Sequence, residues 1–175
     1  MDDRLIVTAS PHIRDNATTR GLMGNVLIAL VPSIVASGLI FGMRAILLTA
    51  VTTLACVVFE YLYCKLMHKP NPVGDLSACV TGVILALNMP VSMPLWIAIV
   101  GALVAIVIIK QLFGGLGCNF ANPAITGRVF LLLSFGGDMT TWVKPFYYQG
   151  NNFIVKLLMD NPRIPAGVTL SLIHI

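Results

Sequence analysis

Charge is what this sequence has least of. Asp, Glu, Lys and Arg make up 10% of its 175 residues, where a soluble domain carries about 25%. A surface so poor in charge is hard to keep in water, and a disordered chain needs the opposite balance of charge and hydrophobicity. The 11 Lys and Arg residues are scattered, with no run of adjacent basics. That excludes a nucleic-acid module, which needs a basic stripe to follow phosphates, so the net charge of +4 is a weak signal. Cys56, Cys64, Cys79 and Cys118 have no CxxC spacing. They read as small buried hydrophobes rather than as a disulfide framework or metal site. The three histidines are isolated, so no His-metal cluster assembles, and no Ser-His-Asp set or carboxylate pair can be specified. Residues 1–7 start acidic with a three-residue apolar run and do not read as a cleavable signal.

What is present is apolar sequence in long blocks. Hydrophobic residues make up 57% of the chain and the mean hydropathy is +0.89. Residues 76–109 form 34 consecutive positions without a formal charge, and residues 22–43 another 22. A bilayer core takes about 20 mostly apolar residues per helix. The fold class expected is therefore an all-α, polytopic integral membrane protein.

Residues 1–21 read as a polar tail, followed by a transmembrane region over 22–135. Spanning segments are expected at about 22–41, with Pro32 as a kink, and at 45–64. The breakers Pro70, Pro72 and Gly74 then mark a loop. The 34-residue stretch is too long for one helix at 1.5 Å per residue, and Pro90 and Pro94 divide it into a short segment, 76–90, and a full one, 94–113. A second short segment is expected at 125–135. Two short segments beside Gly/Pro breaks point to a cavity lined by discontinuous helices. Lys and Arg number three before the first helix, one after it and two after the second, which places the N-terminus in the cytoplasm. Residues 136–169 would then be extracytoplasmic, with Trp142, Tyr147 and Tyr148 suited to an interfacial belt.

Few residues offer chemistry. Glu60, near the end of the second segment, reads either as an interfacial acid or as an ion ligand. Asp75 precedes a helix and reads as its N-cap, the carboxylate accepting free backbone N–H groups. The Gly-Gly-Leu-Gly-Cys-Asn-Phe-Ala-Asn-Pro run at 114–123 lacks the Lys-Ser/Thr ending of a phosphate-binding P-loop. Its Asn119 and Asn122 need partners at membrane depth, either as helix-packing amides or as the lining of a cavity.

Several strings taken together resemble a known family. They are Thr8-Ala-Ser-Pro-His-Ile-Arg14, Asp75-Leu-Ser-Ala-Cys-Val-Thr-Gly82, Leu85-Ala-Leu-Asn-Met-Pro90 and Lys110-Gln-Leu-Phe-Gly-Gly-Leu-Gly117. Asn119-Phe-Ala-Asn-Pro-Ala124, Gly127-Arg128 and Met139-Thr-Thr-Trp-Val-Lys-Pro145 follow in order. From residue 1 to about 169 the chain is similar to D subunits of Rnf complexes and to their relatives, the B subunits of sodium-pumping NADH:quinone reductases.

The resemblance implies a flavin-bearing subunit of an ion-translocating ferredoxin:NAD oxidoreductase in the bacterial cytoplasmic membrane. It implies a fold like one repeat of a urea channel, partnership with the other Rnf subunits, and electron relay coupled to Na⁺ or H⁺ movement. The cofactor implied is FMN, held by a phosphoester to a threonine on the extracytoplasmic side. Asp75, Asn119 and Asn122 become candidates for lining a flavin or ion path. The rival expectation is a urea-type solute channel without redox function.

The chain departs from the family at the flavin motif. Thr169 matches its first residue, but Leu172 stands where the flavin-bearing threonine belongs, and leucine has no hydroxyl to esterify. The hexapeptide Leu170-Ser-Leu-Ile-His-Ile175 is also the translation of CTG TCT CTT ATA CAC ATC, the end of a common sequencing-library transposon adaptor. The expectation is a reading frame cut inside the motif, with residues 170–175 derived from adaptor.

Overall fold

The computed structural model describes residues 18–68, 72–119, 121–143 and 145–146. Among these there are helices and turns and no strand. Helix α1 covers Thr19–Phe41 and α2 covers Met43–Leu66, both long and apolar enough to cross a membrane. A 3₁₀ turn at Pro72–Asp75 leads into α3, Ser77–Leu87; α4 is Leu95–Leu103, α5 Pro123–Ser134 and α6 Gly136–Met139.

Helix α1 starts at Thr18, whose hydroxyl caps the Gly21 N–H at 3.2 Å. It runs on through Pro32 and buries no residue. A helix apolar all round suits an apolar solvent. Gly42, at φ 80°, makes the one-residue turn into α2. Helix α2 is different because one stripe of it is buried: Ala45, Leu48, Thr49, Thr52, Cys56, Glu60 and Cys64. These recur every three or four residues, so they lie on one face. That face packs on α3 and α4 around Leu48, Cys56, Leu85, Met93, Ile97, Ile106 and Leu131. The hydroxyls of Thr49, Thr52 and Thr53 donate to carbonyls four residues back at 2.7–2.8 Å, which lets polar side chains sit in an apolar seam.

Glycine sets the closest approach in that seam. A Cβ on Gly82 would stand 2.6 Å from the Thr53 Cα, so α3 and α2 meet backbone to backbone, as small residues allow where helices pack without water.

Pro90 and Pro94 separate α3 from α4 through a turn that Arg44 holds. Its guanidinium donates to the carbonyls of Val91 (2.9 Å) and Met93 (3.3 Å). Ser92 donates to Thr141 O at 2.7 Å, and the Phe146 N–H to Ile40 O at 2.8 Å. The turn, the α1–α2 junction and residues 141–146 therefore share one end of the bundle.

The expected full helix over 94–113 has a break in geometry that hydropathy could not reveal. After Leu103 the chain winds as a π-helix over Val104–Gln111. The Leu112 N–H donates to Val107 O, five residues back, at 3.1 Å. The wider winding turns three consecutive residues inward, Ile109, Lys110 and Gln111.

Candidate functional site: a buried Glu60–Lys110 pair

The inward turn of Lys110 creates the principal polar cluster among the described residues. Its Nζ donates to Glu60 Oε1 on α2 and to Ser77 Oγ on α3, the latter at 2.7 Å. Gln111 Nε2 donates to the same Glu60 Oε1 at 2.8 Å. The side chains of Glu60 and Lys110 are 0% and 2% exposed. Three elements thus meet in one polar cluster, with Lys110 bonded to both α2 and α3. The second oxygen of the Glu60 carboxylate, Oε2, is buried and has no hydrogen-bond partner among the described residues.

Taking a carboxylate and an ammonium out of water costs several kcal/mol per ion, returned only when the pair is well made and its remaining groups are satisfied. Here half of the carboxylate is left open. Glu60 lies six residues before the end of α2 at Leu66, about 9 Å along the axis at 1.5 Å per residue. For a helix of this length centred in a hydrocarbon layer of about 30 Å, that depth is inside the apolar zone.

This revises the view of Glu60 as an interfacial acid: it is enclosed by protein and paired. Sequence reasoning missed Lys110 and Gln111 as its partners, 50 and 51 residues away along the chain. Two signals were available. Glu60 falls on the same four-residue stripe as Thr52 and Cys56, and Lys110 ends the 34-residue uncharged stretch.

The three residues expected to line a path are placed differently. Asp75 ends the 3₁₀ turn and does not cap α3. The cap position is Leu76, at φ 59°, with no side-chain cap bond, because this one left-handed residue separates Asp75 from the helix. Asn122 is the N-cap of α5: its Oδ1 accepts from the Ala124 N–H at 3.0 Å and, more weakly, from the Ile125 N–H at 3.5 Å. The Asn119 amide faces the carbonyls of Gly115 (2.9 Å) and Lys110 (3.3 Å), and assigning its nitrogen to that side lets it donate to both. It therefore ties the glycine loop to the backbone of the buried lysine, and it alone of the three adjoins the cluster. Gly114, Gly115 and Gly117 all have positive φ in that loop, a conformation open to glycine. Thr169 and Leu172 lie outside the described residues, as do Tyr147 and Tyr148.

A second feature is a cavity at the Arg44 end of the bundle. It lies against Phe41, Ala45, Met89, Pro90, Trp142 and Val143 and is mainly apolar in its walls. Among the described residues no charged side chain lines it, and those residues offer shape rather than acid–base chemistry.

The family described as NQR2, RnfD, RnfE matches residues 6–170. The chain belongs to that family. Among its relatives in the NQR2/RnfD/RnfE family is the D subunit of the Na⁺-translocating ferredoxin:NAD⁺ oxidoreductase complex of Acetobacterium woodii. It is 49% identical over 137 residues, which are 78% of this chain and 43% of the relative. The D subunit of the ion-translocating oxidoreductase complex of Shewanella loihica is 39% identical over 141 residues, 79% of this chain and 40% of the relative. The Yersinia enterocolitica protein of the same description is 36% identical over 146 residues, 82% and 42% respectively. The chain spans about two fifths of the length of these relatives. Those relatives are named as subunits of ion-translocating oxidoreductase complexes.

Proposed function

We propose that this chain forms the N-terminal part of the D subunit of an Rnf-type complex. That complex carries electrons between ferredoxin and NAD and couples them to movement of Na⁺ or H⁺ across the bacterial cytoplasmic membrane. The observation that carries this reading is the 49% identity to a D subunit whose complex is named as Na⁺-translocating. The buried Glu60–Lys110 pair supports it, since ionisable groups at membrane depth are costly and mark ion or proton paths. The protein crosses the membrane several times with its N-terminus in the cytoplasm, which places the glycine loop and Lys110 toward the cytoplasmic side and the Arg44 end outward.

FMN is the cofactor this reading carries, esterified to a threonine three residues beyond Thr169 in the complete protein. The donor present here does not fit: Leu172 has no hydroxyl, so this chain cannot form the ester itself. Among the described residues, the mainly apolar cavity beside Trp142 has no cation to hold a phosphate. The residues of this chain provide the helical frame and a polar cluster within it.

The test is the complete protein, expressed from the gene that contains residues 1–169, on a denaturing gel under ultraviolet light. Fluorescence that survives denaturation and disappears when the motif threonine is changed to Ala is the expected result. A complete protein without bound flavin, which passes small solutes in vesicles, would favour the urea-type channel instead.

A further inference from the structure

We propose that Lys110 is a tethered cation that occupies the Glu60 carboxylate in place of a translocated monovalent cation, and yields the site when that cation enters. This rests on the reading that the protein moves a cation, and it assigns the regulation of that movement to one side chain.

The donor set argues for a cation site. Glu60 Oε1 and Ser77 Oγ are hard oxygen ligands that both accept from Lys110 Nζ, and Glu60 Oε2 is a third hard oxygen on the same carboxylate, buried and unpartnered among the described residues. Gln111 adds an amide whose nitrogen faces Glu60 Oε1; a flip about its last bond turns the carbonyl oxygen inward instead. Small hard cations take such oxygens. The open Oε2, fully buried in a 0%-exposed residue, is the ligand that Lys110 leaves unused.

Lys110 has somewhere to go. It lies next to the last residue of the π-helix and is followed by the loop holding Gly114, Gly115 and Gly117. A lysine near a helix end can extend its stem along apolar surface and bring its ammonium to the membrane face. The π-winding makes the inward position a local choice of backbone, since re-forming α-helical turns would rotate Lys110 away from Glu60. Charge balances in both states. With Lys110 inward, Glu60 is neutralised by Nζ; with Lys110 outward, one monovalent cation neutralises it, so the buried site never holds net charge.

An internal competitor lowers apparent affinity by the fraction of time the site is free. The test uses the complete D subunit carrying this segment, purified in its assembled complex, with Na⁺ as the probe and choline as the control. The readouts are Na⁺-dependent thermal unfolding and direct ²²Na⁺ binding. In Lys110→Met the Na⁺ concentration for half-maximal stabilisation should fall by about tenfold or more, and the variant should be much less stable in choline than in Na⁺. The Glu60→Gln/Lys110→Met double variant should fold and show no Na⁺ response. Equal stability of Lys110→Met in choline and Na⁺, folded or unfolded in both, overturns the proposal and makes the pair structural. A wild-type Na⁺ response in the double variant overturns it as well. Covalent flavin fluorescence on the same preparations separates the two readings: flavin present with no Na⁺ response defeats this inference alone.

Discussion

Gly82 of α3 meets the backbone of α2 so closely that a side chain there would place its Cβ 2.6 Å from the Thr53 Cα, with the Cys56 Sγ at 3.3 Å. The obstacle is main chain, which cannot rotate aside. Overpacking in a tight core costs about 1–3 kcal/mol. Gly82→Val in the complete protein should lower the unfolding temperature in detergent by several degrees. Gly74→Val serves as the control, because a Cβ there meets nothing within 4 Å. Equal stability of the two variants would show that α2 and α3 pack more loosely than described.

Arg44 connects the start of α2 to the α3–α4 turn through two carbonyls. Hydrogen bonds from a charged donor contribute about 1.5–3 kcal/mol each when partly buried. Arg44→Met keeps the apolar stem and removes both bonds. Faster amide exchange at Val91–Met93 is expected, with little change in the middle of α2. Unchanged exchange in the turn would mean that Pro90 and Pro94 hold it without help.

Asn122 and Asn119 should separate experimentally although they share one motif. Asn122→Ala removes the cap of α5 and should cost about 1 kcal/mol of stability, which Asn122→Ser or Asn122→Asp restores. Asn119→Ala removes a side-chain tie to the Lys110 carbonyl and leaves the Gly115 N–H as the remaining one at 3.0 Å, and a capping residue at position 122 cannot compensate. Thermal melts of these variants check this; rescue of Asn119→Ala by Asn122→Asp would contradict it.

Glu60→Ala leaves the Lys110 ammonium without its carboxylate in an enclosed site. Breaking a buried pair from one side costs about 3–5 kcal/mol, whereas replacing both partners with apolar groups of similar size is often close to neutral. Measured in choline, Glu60→Ala should therefore be less stable than Glu60→Leu/Lys110→Met. The reverse order would mean that Lys110 finds another partner when Glu60 is gone.

Much of the architecture is legible in the linear order of residues. Uncharged runs longer than a bilayer needs, and prolines at 90 and 94 that interrupt one of them, foretell long helices, short helices and the turn between. Capping is legible only in part. Asn122 before Pro123 is a cap because a polar side chain and a proline at the first helical position both favour a helix start there. Asp75 has the same local look and is no cap, because Leu76 takes a left-handed conformation that no local preference favours.

Composition and the spacing of charge by themselves determined that this chain enters an apolar solvent as helices, since burying 34 uncharged residues in a row is favourable only there. They could not determine where the few charges end up. Glu60 and Lys110 are separated by 50 residues, and their meeting depends on three helices packing at once and on a π-turn that swings Lys110 inward. Helical periodicity carries no record of a change in winding, and no local pattern pairs two distant charges. Only the tertiary structure brought the opposite charges together, because each is too costly to bury alone.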